Sequence, residues 1–245
     1  MQNSDTASAA AIVAVSIAAL AASIALLRRW LLLRTISRDA NVPYLATIRR
    51  ELDRPEPKAK LHRDLPVKIM PHLLLGDRRC ASDDSIIESF GVTHILNVAG
   101  KYGASDVSGF SHSSGNYLQI NAQDEEGYDI MQHLPEASAF IRRALAENGR
   151  CLIHCQAGIN RSGALACAEL MLHEQVSIVD AVTRCKEARG VILSNHSFQE
   201  QLVKLARTHE LLGDVPVCTP SELAAAANTK PPRKPAAMAF ANLAH

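Results

Sequence analysis

The chain has 245 residues and almost no net charge, +1 at neutral pH. It therefore has no global basic field of the kind that nucleic acid demands, and no nucleic-acid partner is expected. It also lacks any Cys-x-x-Cys pair. Its six cysteines, Cys80, Cys151, Cys155, Cys167, Cys185 and Cys218, are scattered along the chain. A disulfide framework is thereby excluded, and a reducing compartment is the natural setting. Cys151, His154 and Cys155 lie close together, but the second group of ligands that a structural zinc ion would need is missing. No metal and no cofactor is expected. No internal repeat is present. Hydrophobic residues make up 47% of the chain, enough to fill the core of one domain of ordinary size with extensions to spare.

What is there is concentrated in one segment, Leu152-Ile153-His154-Cys155-Gln156-Ala157-Gly158-Ile159-Asn160-Arg161-Ser162. An apolar run from Cys151 to Ile153 reads as a strand, and Gly163 to Leu172 reads as a helix. A tight loop between a strand and a helix N-terminus aims several backbone N–H groups and the positive end of a helix dipole at one point. Gln156, Ala157, Gly158, Ile159 and Asn160 would form that bed for a phosphate-sized oxyanion. Cys155, held inside it, becomes a thiolate nucleophile. Arg161 offers a planar fork for two phosphate oxygens, and Ser162 can donate a hydrogen bond to the sulfur when it leaves. Read instead as a core cysteine and a solvated helix arginine, the segment leaves the positions of Gly158 and Ser162 unexplained.

The same residues resemble the signature loop of the cysteine-dependent protein tyrosine phosphatase superfamily, His-Cys-x5-Arg-[Ser/Thr], in the wording of its dual-specificity branch. Leu73-Leu74-Leu75-Gly76, the stretch Gly91 to Val98 and Ser197-Phe198-Gln199-Glu200-Gln201-Leu202 are similar to further segments of that family. The resemblance covers about residues 67 to 212. It implies a protein tyrosine phosphatase-like α/β fold and hydrolysis of phosphomonoesters through a cysteinyl-phosphate. His154 would hold the loop structurally. It also implies a general acid on a loop that follows a strand and precedes the cysteine. Asp124, 31 residues before Cys155, fits that place; Glu125 and Glu126 compete with it, and Asp129 reads as a helix cap. Cys151 is either a core cysteine or a partner that traps an oxidised Cys155.

No lysine or arginine occupies positions 156–160, whereas lipid phosphatases resembling the tensin-type enzymes place basic residues there. Phosphoproteins bearing phosphotyrosine, and phosphoserine or phosphothreonine, are therefore the expected substrates. Three alternatives stay open. They are a phosphoinositide phosphatase, an RNA 5′-phosphatase suggested by Asn160-Arg161-Ser162-Gly163, and a non-catalytic module that binds phosphorylated partners.

Four regions are expected along the chain. Ala7 to Leu27 is 21 residues without a charge, followed by Arg28, Arg29, Arg34 and Arg38, with Trp30 near the boundary. That pattern predicts an apolar helix at the N-terminus, with residues 1–37 as a membrane anchor and its basic flank in the cytosol. Residues 38–66 carry Pro43, Pro55, Pro57 and Pro66 and read as a linker with one short helix at Tyr44 to Leu52. Residues 67–213 alternate strand and helix patterns, which predicts a mainly parallel sheet flanked by helices as the catalytic domain. Residues 214–245 turn to Pro, Ala and Lys and read as a disordered tail.

Overall fold

The computed structural model describes residues 40–55, 65–103, 110 and 115–227, together with Ser23, Ile24, Leu26 and Leu27 near the N-terminus. Those four positions are helical and exposed; the rest of the Ala7–Leu27 run lies outside the described residues. Among the described residues no helix is long and apolar enough to cross a membrane.

A five-stranded sheet organises the body. Its strands are β1 (Val67–Met70), β2 (Leu73–Gly76), β3 (His94–Asn97), β4 (Tyr117–Gln119) and β5 (Cys151–His154), in the order β1-β2-β5-β3-β4. Only β1 runs antiparallel; the other pairings are parallel, as expected from the sequence. Every residue of β2, β3 and β5 is buried, which is the condition of a parallel strand covered on both faces. The central strand β5 ends level with its neighbours, His154 standing opposite Gly76 on one side and Asn97 on the other. The chain after His154 thus leaves at the carboxyl edge of the sheet, where open α/β sheets carry their ligands.

The helices are α1 (Val42–Leu52), α2 (Asp84–Ser89), α3 (Leu134–Ala146), α4 (Arg161–Glu174), α5 (Ile178–Arg189), α6 (His196–Thr208) and α7 (Pro220–Ala227). Helix α4 is buried on every side from Ser162 to Met171, so its sequence has no polar stripe. Its one buried acid, Glu169, accepts a hydrogen bond from Ser138 Oγ of α3. Side chains start three helices as local chemistry requires: Asp83 caps α2, Ser177 caps α5 and Asn195 caps α6.

Three expectations need correction. The segment read as a linker contains α1, which begins at Val42 and buries Tyr44, Leu45, Ala46, Thr47 and Ile48, so it is part of the folded body. The first part of the expected tail is ordered as well. Helix α7 lies against α1, with Arg49 Nη1 donating to the Ala226 carbonyl at 3.2 Å and Arg50 paired to Glu222 at 3.2 Å. Residues 228–245 lie outside the described residues. Asp129 caps no helix. A 3-10 turn (Met131–His133) comes first, and α3 starts at Leu134, with Pro135 in its first turn where a missing N–H costs nothing.

Candidate active site

Between β5 and α4 the chain turns through residues 155–160 and brings Cys155 and Ser162 to the same point. Ser162 Oγ donates to Cys155 Sγ at 3.2 Å. Burial at 2% exposure would push the thiol pKa up, but it is outweighed. Hydrogen bonds from the Ser162 side chain, from the backbone N–H groups of Ser162 and Ile159, and the charge of Arg161 together bring it below its ordinary value. Donors gathered around a buried sulfur favour its ionised form.

The loop's carbonyls are held from outside, while the backbone N–H groups of Ile159 and Ser162 turn to the Cys155 sulfur. Four consecutive carbonyls accept hydrogen bonds from elsewhere in the fold. The Gln156 carbonyl takes the backbone N–H of Arg78 at 3.3 Å, and the Ile159 carbonyl takes that of Leu193 at 3.1 Å. The Ala157 and Gly158 carbonyls take Arg189 Nη2 and Nε at 3.0 and 3.1 Å. Gly158 has φ +64°, and a Cβ there would sit 2.5 Å from the Gly76 carbonyl oxygen, so the loop passes β2 at a distance only glycine permits.

Arg161 opens α4 and donates from Nη1 to the Ala122 carbonyl at 3.3 Å. Its Nε is buried and has no hydrogen-bond partner among the described residues. A buried donor left without a partner is costly; an oxyanion in the bed of N–H groups would supply the missing acceptor.

His154 lies behind the loop. Burial brings its imidazole down to about 4, only partly offset by its hydrogen bond to the Cys155 carbonyl and by Asp77. It is therefore neutral at pH 7, and Nδ1–H donates to that carbonyl at 3.2 Å. A neutral ring bonded to the loop backbone is consistent with the structural part expected of His154.

Of the four acids between positions 124 and 129, Asp124 meets the phosphate loop. Its Oδ2 accepts from Asn160 Nδ2 and its Oδ1 from Asn195 Nδ2, both at 3.2 Å. Asn160 in turn accepts at Oδ1 from Ser194 Oγ and the Asn195 N–H, at 3.0 and 3.1 Å. Glu126 is occupied elsewhere: its two oxygens accept the N–H groups of His196 and Ser197, each at 2.9 Å, at the start of α6. Glu125 is exposed and its carboxylate makes no hydrogen bond among the described residues. Further along, Gln201 of α6 accepts from the Ile130 N–H at 2.9 Å and donates to the Tyr128 carbonyl at 2.7 Å. The acid-bearing segment is thus strapped to α6 at three places.

Sequence reasoning missed Arg189, Asn195 and the bracing N–H groups of Arg78 and Leu193. Asn195 at least carried a signal, as an Asn just before a helical run. Cys151 is fully buried on β5, and burial pushes its thiol pKa far up, as befits a core cysteine. Among the described residues no group of His, Cys, Asp and Glu could hold a metal ion.

Comparison with known proteins agrees with this geometry. The family model "Dual specificity phosphatase, catalytic domain" matches residues 73–208, more than half of the chain. The chain is 34% identical over 141 residues to dual specificity protein phosphatase 26 of Bos taurus, covering 57% of this chain and 66% of that protein. It is 38% identical over 140 residues to dual specificity protein phosphatase 19 of Mus musculus, covering 57% of this chain and 61% of that one. The match thus spans less than two thirds of either relative. Among solved structures, human DUSP28 superposes with a TM-score of 0.55 at 28% identity, covering 61% of this chain and 99% of that one. The chain belongs to the dual specificity phosphatase family, and the matched catalytic domain contains Cys155, Arg161 and the loop between them.

Proposed function

We propose that this protein hydrolyses phosphomonoesters on phosphoproteins, at phosphotyrosine and at phosphoserine or phosphothreonine, through a phosphorylated cysteine. The observation that carries this is the Cys155 sulfur, which receives hydrogen bonds from the Ser162 hydroxyl and two backbone N–H groups beside the Arg161 guanidinium. Cys155 Sγ attacks phosphorus in line, forming the S–P bond as the P–O bond to the leaving group breaks. Arg161 and the loop N–H groups hold the three equatorial oxygens, and Asp124 gives its proton to the leaving oxygen. Water then attacks phosphorus, Asp124 takes up its proton, and the sulfur leaves as a thiolate with the Ser162 hydroxyl hydrogen-bonded to it. The uncharged residues at 156–160 suit a phosphorylated side chain better than a multiply phosphorylated inositol ring.

The direct test is release of phosphate from a small aryl phosphate and from phosphotyrosine and phosphothreonine peptides. Asp124→Asn checks the acid. Its effect is expected to depend on the leaving group: about a hundredfold loss of kcat on an alkyl phosphate, and much less on a nitrophenyl ester that departs unprotonated. Glu126→Gln should show no such dependence, because its carboxylate caps α6. A larger leaving-group effect in Glu126→Gln or Glu125→Gln would move the role to that residue.

We also propose that the Ala7–Leu27 run anchors the chain in a membrane, with the catalytic body on the cytosolic side. Twenty-one uncharged residues followed by four arginines support it. The full chain should stay with membranes after alkaline carbonate extraction, and a chain starting at residue 40 should be released. Release of both forms would refute the anchor.

A further inference from the structure

Helix α1 lies outside residues 73–208, which the family model matches, yet a continuous chain of hydrogen bonds joins it to the phosphate loop. Arg49 of α1 donates from Nε to Gln199 Oε1 at 2.9 Å. Gln199, a buried residue of α6, donates from Nε2 to the Leu193 carbonyl at 2.8 Å. The Leu193 N–H donates to the Ile159 carbonyl at 3.1 Å, and the N–H of Ile159 itself meets the Cys155 sulfur.

Two links of this chain depend on what lies upstream of them. The Gln199 amide accepts at one end and donates at the other. Turning it end over end would set its NH2 group against a guanidinium, which can only donate. Arg49 therefore decides which end of the amide meets Leu193. Leu193 in turn is fully buried with φ +57°, in the left-handed region that residues with a Cβ rarely adopt. Such a backbone persists where its surroundings over-determine it, and here both its carbonyl and its N–H are held. Released from Gln199, Leu193 can relax towards ordinary backbone, and its N–H turns away from Ile159.

We infer that Arg49 is a positioning residue for the phosphate loop, acting through Gln199 and Leu193, so that α1 is a working part of the active site. This rests on the phosphatase reading of Cys155 and adds to it the part played by a helix outside the matched residues. Arg49 is itself held on several sides. Its Nη1 donates to the Ala226 carbonyl of α7, and the charges of Glu200, Glu126 and Asp53 oppose the lowering of its pKa by burial.

The test compares three variants of the full chain. Arg49→Met keeps the length of the side chain and removes its donors. Gln199→Glu keeps a partner for Arg49, so that α1 stays docked, but a carboxylate cannot donate to the Leu193 carbonyl; it decides the matter even if Arg49→Met fails to fold. Tyr44→Phe is the control, because it removes a different bond of α1, from the Tyr44 hydroxyl to the Gly213 carbonyl at 3.4 Å. Arg49→Met and Gln199→Glu are expected to lower kcat/KM by about tenfold on a nitrophenyl and an alkyl phosphate alike, since the loop serves both. Both should also raise, by about half a pH unit, the midpoint for alkylation of Cys155 by iodoacetate, read from the mass of the labelled peptide, because the Ile159 N–H is one of the donors that favour the thiolate. The charges facing the sulfur, Arg161 and Arg189, are the same in all three variants. Tyr44→Phe should keep the wild-type midpoint and stay within about twofold in rate. An unchanged midpoint in Gln199→Glu would overturn the inference, and so would an equal shift in Tyr44→Phe, which would mean general loosening of the body. A loss in Arg49→Met confined to the alkyl ester would assign Arg49 to the acid-bearing segment through Glu126 instead. Alkylation needs no turnover, so an inactive wild type would count against the enzymatic reading while the midpoints still decide this one.

Discussion

Cys155→Ser is expected to abolish hydrolysis of an aryl phosphate, lowering kcat by about ten-thousandfold or more, while the protein still binds phosphate. Hydrogen bonds from the Ser162 hydroxyl and from the backbone N–H groups of Ser162 and Ile159, with the Arg161 charge, bring the thiol below its ordinary pKa against the opposing effect of burial. The same groups cannot ionise a serine hydroxyl, whose pKa starts far higher. To the extent that the sulfur is ionised, the substitution also removes a negative charge from a site that receives a dianion. Phosphopeptide binding to Cys155→Ser should therefore equal or exceed that of the wild type, and both properties can be read by titration calorimetry and a phosphate-release assay. Substantial residual turnover would transfer the nucleophile to another group and end the proposed mechanism.

Gly158→Ala should be the most damaging small substitution outside the reacting atoms. Its Cβ would lie 2.5 Å from the Gly76 carbonyl oxygen and 2.9 Å from the carbonyl carbon, both backbone atoms at the end of a buried strand. The left-handed backbone adds about 1–2 kcal/mol for any residue with a Cβ. The clash adds roughly 1–3 kcal/mol more if the loop must shift to relieve it. A shift of about 1 Å in the loop would move the N–H groups off the phosphate oxygens and cost roughly a hundredfold in rate. Gly91→Ala is the control, because Gly91 has φ +60° but nothing closer than Arg150 Nη1 at 3.8 Å. Thermal melts and kcat/KM of the two variants separate backbone strain from collision. Equal behaviour of the two would mean that the contact with β2 is unimportant.

The sheet and the loop were legible in the sequence for a physical reason. Buried parallel strands are short, nearly uninterrupted apolar runs, as in Leu73-Leu74-Leu75 and Cys151-Leu152-Ile153, and a phosphate loop is one contiguous segment whose geometry follows from its own residues. What could not be read there is carried by contacts across long separations. Arg189 reaches the loop carbonyls from 31 residues away, and an arginine near a helix end looks solvated until the fold is known. Asp129 with Gln132 imitates a capping pair, yet the free N–H groups of Ile130 and Met131 are met by Gln201, about 70 residues on. Helix α1 was visible as a helix, but the prolines around it suggested a spacer. That Tyr44, Leu45 and Ile48 are buried depends on partners late in the chain: Thr47 meets Cys218, and Arg49 meets Gln199 and Ala226. The proposed general acid falls between these cases. The sequence already favoured Asp124 among its neighbours, and the contacts of Asp124 with Asn160 and of Glu126 with the first turn of α6 support that reading without being legible beforehand.

The strap that ties residues 124–131 to α6 has a kinetic meaning. With Glu126, Gln201 and the two asparagines in place before any substrate arrives, Asp124, the proposed proton donor, is held against Asn160 of the loop in the resting protein. The entropy of gathering donor and nucleophile is lost once, when the chain folds, and is not charged again at each catalytic cycle.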